Sequence, residues 1–212
     1  MSKFILEIIQ ATTSIGLNVR SICSDIGSNN KALWSSLGIC VSRDQRIISF
    51  EEDSSNRHIY VLADIPHLLK NWKSAIQRSQ IYLPMEVVQE HDLPTNVVTG
   101  KYINDLWNHE MRNKKHLRSL HHLIQEIVTP GHFSKMNVGN AMRYISIKTA
   151  GALETVVIQK IIPREALTTA WFLRFLRQWF ELINSRRRVA SVTRTNVQNK
   201  KTFMDYFVSV VE

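Results

Sequence analysis

The sequence predicts an α/β segment followed by a mainly α-helical segment, and two observations carry that prediction. Up to about residue 80, short β-branched and aromatic runs alternate with helical patterns, as an α/β sheet requires. After Leu83-Pro84 such runs become rare, and apolar residues recur at helical spacing through about residue 185. We therefore expect two domains, residues 1–75 and 76–212.

In the first segment, the apolar spacing predicts a helix over residues 3–15 and a short helix over residues 31–37. Strands are expected over residues 19–23, 47–50 and 58–63. Asp64-Ile65-Pro66 ends the last strand, because proline cannot donate to a ladder. A helical pattern follows over residues 67–80.

In the second segment, breakers at Pro130-Gly131 and Ile162-Pro163 separate the helical patterns. The expected helices cover residues 96–110, 115–127, 134–159 and 164–185. Residues 186–201 are basic and polar, which is typical of a linker, and a final short helix is expected over residues 202–211.

The charge balance favours a polyanionic partner. The 212 residues contain 27 Lys plus Arg against 18 Asp plus Glu, a net charge of +9, which suits nucleic acid or nucleotide phosphate. No apolar run approaches the roughly 18 residues that a membrane span needs, so we expect a soluble protein without a membrane partner.

Cysteine and histidine usage excludes two further classes of protein. Cys23 and Cys40 are too few for a disulfide framework, and no Cys/His grouping has the spacing of a structural zinc site. The apolar stretch at the N-terminus is interrupted by Glu7 and lacks a cleavage pattern, so no secretory signal is predicted. The cytosol or the nucleus remains.

Short motifs in a fixed order resemble the P-element family of DNA transposases, which includes the vertebrate THAP-domain relatives. The first two motifs lie in the α/β segment and the last two in the helical segment. They are Cys23-Ser24-Asp25-Ile26-Gly27-Ser28-Asn29-Asn30 with Leu37-Gly38-Ile39, Ala63-Asp64-Ile65-Pro66-His67-Leu68-Leu69-Lys70-Asn71, His132-Phe133-Ser134-Lys135-Met136-Asn137-Val138 with Ala141, and Phe180-Glu181-Leu182-Ile183-Asn184-Ser185-Arg186.

The resemblance implies that residues 1–75 form a partial RNase H-like sheet, in which two aspartates and a glutamate would hold two divalent metal ions such as Mg²⁺. Asp25 matches the second acid as catalytic residue and metal ligand, and Asp64 is the weaker candidate. The alternative is that Asp25 caps the following helix, as an Asp after a strand often does. The other two acids have no counterpart here, so we expect no strand cleavage by this chain alone.

The resemblance also implies that residues 76–212 are the family's helical GTP-binding insertion domain. Gly100-Lys101 lacks the flanking residues of a phosphate loop, so side chains would have to hold the nucleotide. In the matching family segment, Phe180 would stack on guanine, Glu181 would accept from its N1 and N2 hydrogens, and Asn184 would complete the contact. Glu181 stands where the family has Asp, which moves the carboxylate out by one methylene.

An alternative interpretation of each of these residues remains open. Phe180 could be a core residue, and Glu181 could pair with Arg177 one helical turn earlier. For the phosphates and ribose, the resemblance points to Lys135 and Lys148, with Lys101 and Lys114-Lys115 as weaker options. Each of these lysines could instead be solvated, as most helical lysines are.

These inferences predict a fragment of a P-element-like transposase, with a GTP-binding insertion domain and an incomplete catalytic core. The implied partners are GTP, Mg²⁺ only in a complete core, and DNA at transposon ends in a full-length context. The resemblance implies a nuclear location and allows a homo-oligomer. The alternatives are an inert transposon remnant and a basic helical nucleic-acid-binding protein without nucleotide selectivity.

Overall fold

The computed structural model describes residues 2–42, 44–52, 57–112, 118, 120–131, 137–184 and 191–211. The chain divides into two compact units, residues 1–68 and 69–212. The predicted boundary at residues 75–76 lies further along the helix Ile65–Arg78, in which the division falls.

The first unit is mixed α/β. Its helices and the strands near residues 21–24 and 57–63 lie close to the predicted positions, whereas the strand at residues 40–41 was not predicted and the strand predicted over residues 47–50 is divided between two short strands. Its elements are α1 (Ser2–Ser14), β1 (Ser21–Ser24), α2 (Ser28–Ser36), β2 (Cys40–Val41), β3 (Arg46–Ile47), β4 (Ser49–Glu52) and β5 (Arg57–Ala63), followed by the start of α3 (Ile65–Arg78).

A three-stranded sheet in the order β1-β5-β4 organises the first unit. β5 pairs in parallel with β1 and antiparallel with β4. In the parallel pair, Ser24 lies opposite Ala63, so the two strands reach their carboxyl ends side by side. Strands β2 and β3 form a separate two-stranded ladder. The residues that follow β1 and β5 are therefore neighbours at one sheet edge.

Alternation along β5 separates a covered face of the sheet from an exposed one. Ile59 and Val61 are buried, whereas Tyr60 and Leu62 are exposed, as the two-residue period of a strand requires. At the other end of the strand, Arg57 forms an ion pair of 2.8 Å with the buried Glu52, which lies opposite it on β4. Thr13 of α1 also donates to Glu52, which ties this helix to the sheet.

The second unit is mainly helical and contains one short antiparallel ladder. Its elements after α3 are β6 (Gln80–Tyr82), α4 (Met85–Glu90), β7 (Val97–Thr99), α5 (Lys101–Arg112), α6 (Gln125–Val128), α7 (Val138–Tyr144), α8 (Ile147–Ile158), α9 (Ala166–Ile183) and α10 (Val197–Val211). β6 and β7 are paired from Gln80 opposite Thr99 to Tyr82 opposite Val97.

Helix α9 lies at the centre of the second unit, and much of its surface is buried. Its Thr169 hydroxyl donates to the carbonyl of Thr99 on β7 at 3.2 Å, which joins the helix to the ladder. On another side, Phe207 of α10 stacks on Phe175 and on Trp179, with ring centroids 5.2 Å and 5.1 Å apart. Aromatic stacking thus holds α10 against α9.

The continuous helix predicted over residues 134–159 is wrong. α7 ends at Tyr144, and α8 begins at Ile147 after the N-cap Ser146, which accepts from the backbone N–H of Thr149 at 3.1 Å. The Thr149 hydroxyl donates to the carbonyl of Arg143. At the junction, hydroxyl side chains form hydrogen bonds with backbone groups in place of the helical backbone bonds. The spacing of apolar residues does not reveal such a break.

Other differences between prediction and structure concern short strands and the ends of helices. The sequence did not predict β6 or β7, whose three-residue lengths are too short for a clear alternation. Within the predicted helix over residues 115–127, the described helical residues are those of α6. Helix α10 begins at Val197, before the predicted start at residue 202.

We predict that Gly100→Ala lowers stability by about 1–3 kcal/mol, because a side chain there would overpack a buried site. A Cβ on Gly100 would lie 2.7 Å from the Tyr144 hydroxyl and 2.9 Å from the Ile76 carbonyl. Gly151→Ala is the control, since its Cβ would meet only the Arg174 guanidinium at 3.8 Å, and helix propensity should then raise stability. Denaturant unfolding measures both, and equal effects would contradict the packing argument.

A second prediction concerns Lys73 of α3, which is 3% exposed and whose Nζ has no hydrogen-bond partner in the described structure. Burial lowers the pKa of Lys73 from 10.5 to about 8, so between these values the unfolded chain holds a proton that the folded chain lacks. Stability should therefore rise by about 3 kcal/mol as the pH increases through this window.

Lys73→Met should remove this rise and stabilise the protein at pH 7, where the native amine is charged and buried. Lys70→Met, at a half-buried position on the same helix, should leave the rise in place. Chemical denaturation at several pH values from 7 to 10.5 tests both variants. A rise that persists in Lys73→Met would assign it to another group.

Candidate functional sites

The first candidate site is the carboxyl edge of β1 and β5. Asp25 directly follows β1 and Asp64 directly follows β5, and the backbone N–H of Asp64 donates to the carbonyl of Ser24 at 2.8 Å. Parallel pairing therefore brings together the two aspartates that the sequence singled out. Asp25 is exposed and Asp64 is half-buried, so carboxylate oxygen at this edge is accessible to solvent.

Local hydrogen bonds fix the Asp25 carboxylate. Its Oδ1 accepts from the backbone N–H of Gly27 at 2.8 Å and from the side-chain amide of Asn30 at 2.7 Å. This is an Asx-type turn that leads into α2, whose N-cap Gly27 has no side-chain cap bond of its own. The turn agrees with the capping interpretation of Asp25 and leaves its role as a metal ligand a prediction.

Gly27 is a feature of this edge that the sequence analysis did not weigh. A Cβ at this position would lie 2.9 Å from Asp25 Oδ1, so glycine lets the carboxylate approach the turn closely. The Asp-Ile-Gly spacing was the available signal. Within the described ranges, no group of three or more His, Cys, Asp or Glu side chains is arranged to hold a metal ion.

The second candidate site lies at one end of the pair formed by α8 and α9. The two helices pack together and are joined by residues 159–165. Arg174 of α9 forms two bonds with Glu154 of α8, at 2.8 Å and 2.6 Å. A short connection between packed helices makes them antiparallel, so the start of α8 and the end of α9 lie at the same end.

The ion pair shows the register of this end, which the packing of the two helices maintains. Lys148 precedes Glu154 by six residues, and Phe180 follows Arg174 by six residues, so each lies about 9 Å from the pair along its own helix. Two parts of the predicted nucleotide site, one for phosphate and one for the base, are therefore brought to one end of the hairpin. Lys135 lies outside the described residues.

Glu181 and Phe180 make contacts that belong to the alternative interpretation. The Arg177 guanidinium donates to Glu181 Oε1 at 2.6 Å, and the Glu181 side chain remains 54% exposed. Phe180 is 3% exposed and is part of the core. Asn184 is half-buried at the C-cap of α9, where its backbone N–H donates to the Phe180 carbonyl. Their roles in base binding stay predictions.

The start of α8 carries more positive charge than the sequence analysis recognised. Lys148 and Arg143 are exposed, and both act electrostatically on His122. Burial first, and then the charges of His121, Lys148 and Arg143, lower the pKa of His122 to about 4, so this ring is neutral at pH 7. Its Nε2 is 2.9 Å from the Thr149 hydroxyl. Arg143 was missed because the break before α8 brings it to the start of that helix.

In the part of the chain that the structure describes, no helix combines the length and apolar character needed to cross a membrane.

Comparison with known proteins gives one relative in sequence and one in structure, while no protein-family model matches. The chain is 26% identical over 175 residues to the Transposable element P transposase of Drosophila melanogaster, a match that covers 81% of this chain and 21% of that protein. The chain therefore spans about a fifth of this curated relative.

The fold is similar to a chain of the solved Drosophila P element transposase strand transfer complex, with a TM-score of 0.75 and 20% sequence identity. The similarity covers 97% of this chain and 45% of that chain. Together these comparisons confirm the predicted resemblance to a P-element-type transposase, with a mixed α/β fold of small sheets and many helices.

The turn at Asp25 yields a third prediction. Asp25→Ala should lower stability by about 0.5–2 kcal/mol through loss of the Gly27 and Asn30 bonds, whereas Asp25→Asn keeps an acceptor oxygen and should be nearly neutral. Asp44→Ala, another exposed aspartate of the first unit, is the control and should change little. Thermal unfolding compares the three. An Asp25→Ala variant as stable as the native chain would leave the turn without a structural role.

Proposed function

We propose that this chain acts as part of a P-element-like transposase, in which the first unit contributes to an RNase H-like catalytic sheet and the second binds GTP. Support for the general assignment comes from the similarity to the P transposase in sequence and to its strand transfer complex in fold. By this proposal the partner is DNA at transposon ends, and the site of action is the nucleus. Assembly as a homo-oligomer is part of the same proposal.

The parallel pair β1–β5 supports the catalytic part of the proposal. In open α/β sheets, functional residues gather beyond the carboxyl ends of the strands, where Asp25 and Asp64 lie. Carboxylate oxygens are the ligands that Mg²⁺ prefers, so this edge has the right donor chemistry. Asp25, together with Asp64, would hold the ion, which supplies Lewis-acid activation of an attacking oxygen when bound.

The register of α8 against α9 is the single observation that carries the GTP-binding proposal. It places Glu181 and Asn184 at the same end of the hairpin as Lys148. A guanine edge presents two donors, N1 and N2, that one carboxylate can accept. A triphosphate requires cations, which Lys148, Arg143 and, by the resemblance, Lys135 would supply. The positive end of the α8 dipole adds to this attraction.

The Arg177–Glu181 pair does not prevent Glu181 from accepting hydrogen bonds from a guanine base. An exposed ion pair contributes about 0–1 kcal/mol, whereas charge-assisted hydrogen bonds to a guanine edge contribute about 1.5–3 kcal/mol. A guanine edge can therefore compete with Arg177 for this carboxylate. Stacking of Phe180 on the base requires more, because the end of α9 must open to expose the ring.

A second candidate function is nucleic-acid binding without nucleotide selectivity. The buried ring of Phe180 and the pairing of Glu181 with Arg177 favour it, because both residues then serve only the helix. The net charge of +9 suits this function equally well. A transposon remnant without activity is the third alternative. The preference between guanine and adenine separates the first candidate from the other two.

The fourth prediction is that the full chain binds GTP at least about tenfold more tightly than ATP, because adenine N1 lacks the proton that a carboxylate would accept. Glu181→Ala should remove this preference. Glu181→Asp, which gives the carboxylate of the family segment, should retain it. Lys148→Gln should weaken the binding of both nucleotides by a similar factor, because both carry the same phosphates. Isothermal titration calorimetry provides all four comparisons.

Glu154→Ala is the matched control for Glu181→Ala. Glu154 also pairs with an arginine of α9 and is accessible to solvent, yet it lies about 9 Å along α8 from Lys148. We expect this variant to keep the guanine preference of the native chain. Equal affinities for the two nucleotides, or a preference that survives in Glu181→Ala, would contradict the proposed base contact.

A further inference from the structure

A polar cleft of about 340 Å³ lies in the second unit, and none of its lining residues belongs to α8 or α9. It is formed where α3 passes into β6 and where β7 passes into α5. The lining residues are Gln77, Arg78, Ser79, Gln80, Thr99, Lys101, Asn104 and Asp105. The short β6–β7 ladder brings these two stretches together, since Gln80 is paired with Thr99.

Two cations of this cleft are not held in ion pairs within the described residues. Arg78 is the last residue of α3 and Lys101 is the first of α5, and both are exposed. Among the described residues, neither side chain has a hydrogen-bond or ion-pair partner. The N-terminus of α5, where the Lys101 N–H donates to the Thr99 hydroxyl, adds a positive dipole end.

One amide in the wall has a buried oxygen without a partner. Asn104 lies one turn into α5 and is half-buried, and its Oδ1 is buried without a hydrogen bond. The oxygen and nitrogen of a side-chain amide exchange places by a 180° rotation, so this amide can offer its N–H groups to a phosphate oxygen, which only accepts.

The lining chemistry limits the class of ligand. The cleft has no aromatic or aliphatic residue among those that line it, so a nucleobase would find no flat apolar surface. Arginine and lysine with a helix N-terminus suit a phosphate group. Asp105, the one acidic residue of the lining, repels an anion and reduces the positive charge of the cleft. A phosphodiester, which has no need of base stacking, fits these features.

We propose that the cleft between Arg78 and Lys101 binds one phosphate of a DNA backbone, as a positioning contact without sequence preference. This inference rests on the DNA partner of the proposed function and assigns part of that contact to particular residues. Phosphate contacts of this kind fix register on the duplex and make binding depend on salt.

The test is fluorescence anisotropy of the full chain with a labelled DNA duplex of arbitrary sequence, at several salt concentrations. Arg78→Gln and Lys101→Gln should each weaken binding by about threefold to tenfold at low salt, and each should reduce the slope of log affinity against log salt by about 0.9. Asp105→Asn should strengthen binding. Circular dichroism and a thermal midpoint check that each variant folds.

Arg164→Gln and Lys160→Gln remove exposed cations of the same unit outside the cleft and serve as controls. The proposal requires smaller effects from these controls than from the cleft variants. Equal losses, or no gain from Asp105→Asn, would overturn it. Inorganic phosphate is also added as a competitor. If the cleft binds the free ion as well, millimolar phosphate should displace the duplex from the native chain and not from the Arg78→Gln and Lys101→Gln variants.

Calorimetry with GTP separates this inference from the function on which it rests. The cleft variants should retain the guanine preference, because the base contact is assigned to Glu181 and Asn184 and not to Arg78 or Lys101. A native chain that binds no duplex would refute the DNA partner and the cleft together. A chain that binds DNA equally well with and without Arg78 and Lys101 would refute the cleft alone.

Discussion

The burial of α9 is the constraint on which the second unit depends. A helix that is covered on several sides needs partners in several directions, and α8, β7 and α10 each supply one. Thr169 bonds the backbone of β7, and Thr168 bonds the backbone of Thr95 just before that strand. Aromatic rings of α9 pack against α10. Only the polar stripe that carries Arg174 and Arg177 remains for ion pairs. The position of Glu181 follows from this arrangement, because it continues the same stripe.

The sequence predicted the elements whose periodicity is long or strongly apolar. Helix α9 and strand β5 lie close to their expected bounds, since one buried face repeats along each of them. The sequence did not predict the break at Ser146, where hydroxyl groups compete with the backbone, or the short ladder β6–β7, which is joined by a hydrogen bond to α9 far along the chain. Tertiary contacts of this kind leave no local pattern.

For the candidate sites, the sequence indicated individual residues and did not indicate which of them the fold brings together. Asp25 and Glu181 could be selected from motifs, and the partners that each has in the structure, Asn30 and Arg177, lie within five residues in the sequence. Asp25 and Asp64 lie at one sheet edge because of parallel pairing, and Lys148 and Glu181 lie at the same end of the α8–α9 pair because of the helix register. Both arrangements depend on packing between distant segments, which a single sequence does not specify.

The register between Glu154 and Arg174 also determines where this fold can accept insertions or deletions during evolution. Extra residues between α8 and α9 would lengthen an exposed connection and leave the paired ends in place. One residue inserted between Lys148 and Glu154 would instead turn the start of α8 by about 100° and shift it by about 1.5 Å relative to α9. Length variation among functional homologues should therefore occur in residues 159–165. The spacing from Lys148 to Glu154 and the spacing from Arg174 to Phe180 should each stay constant among them.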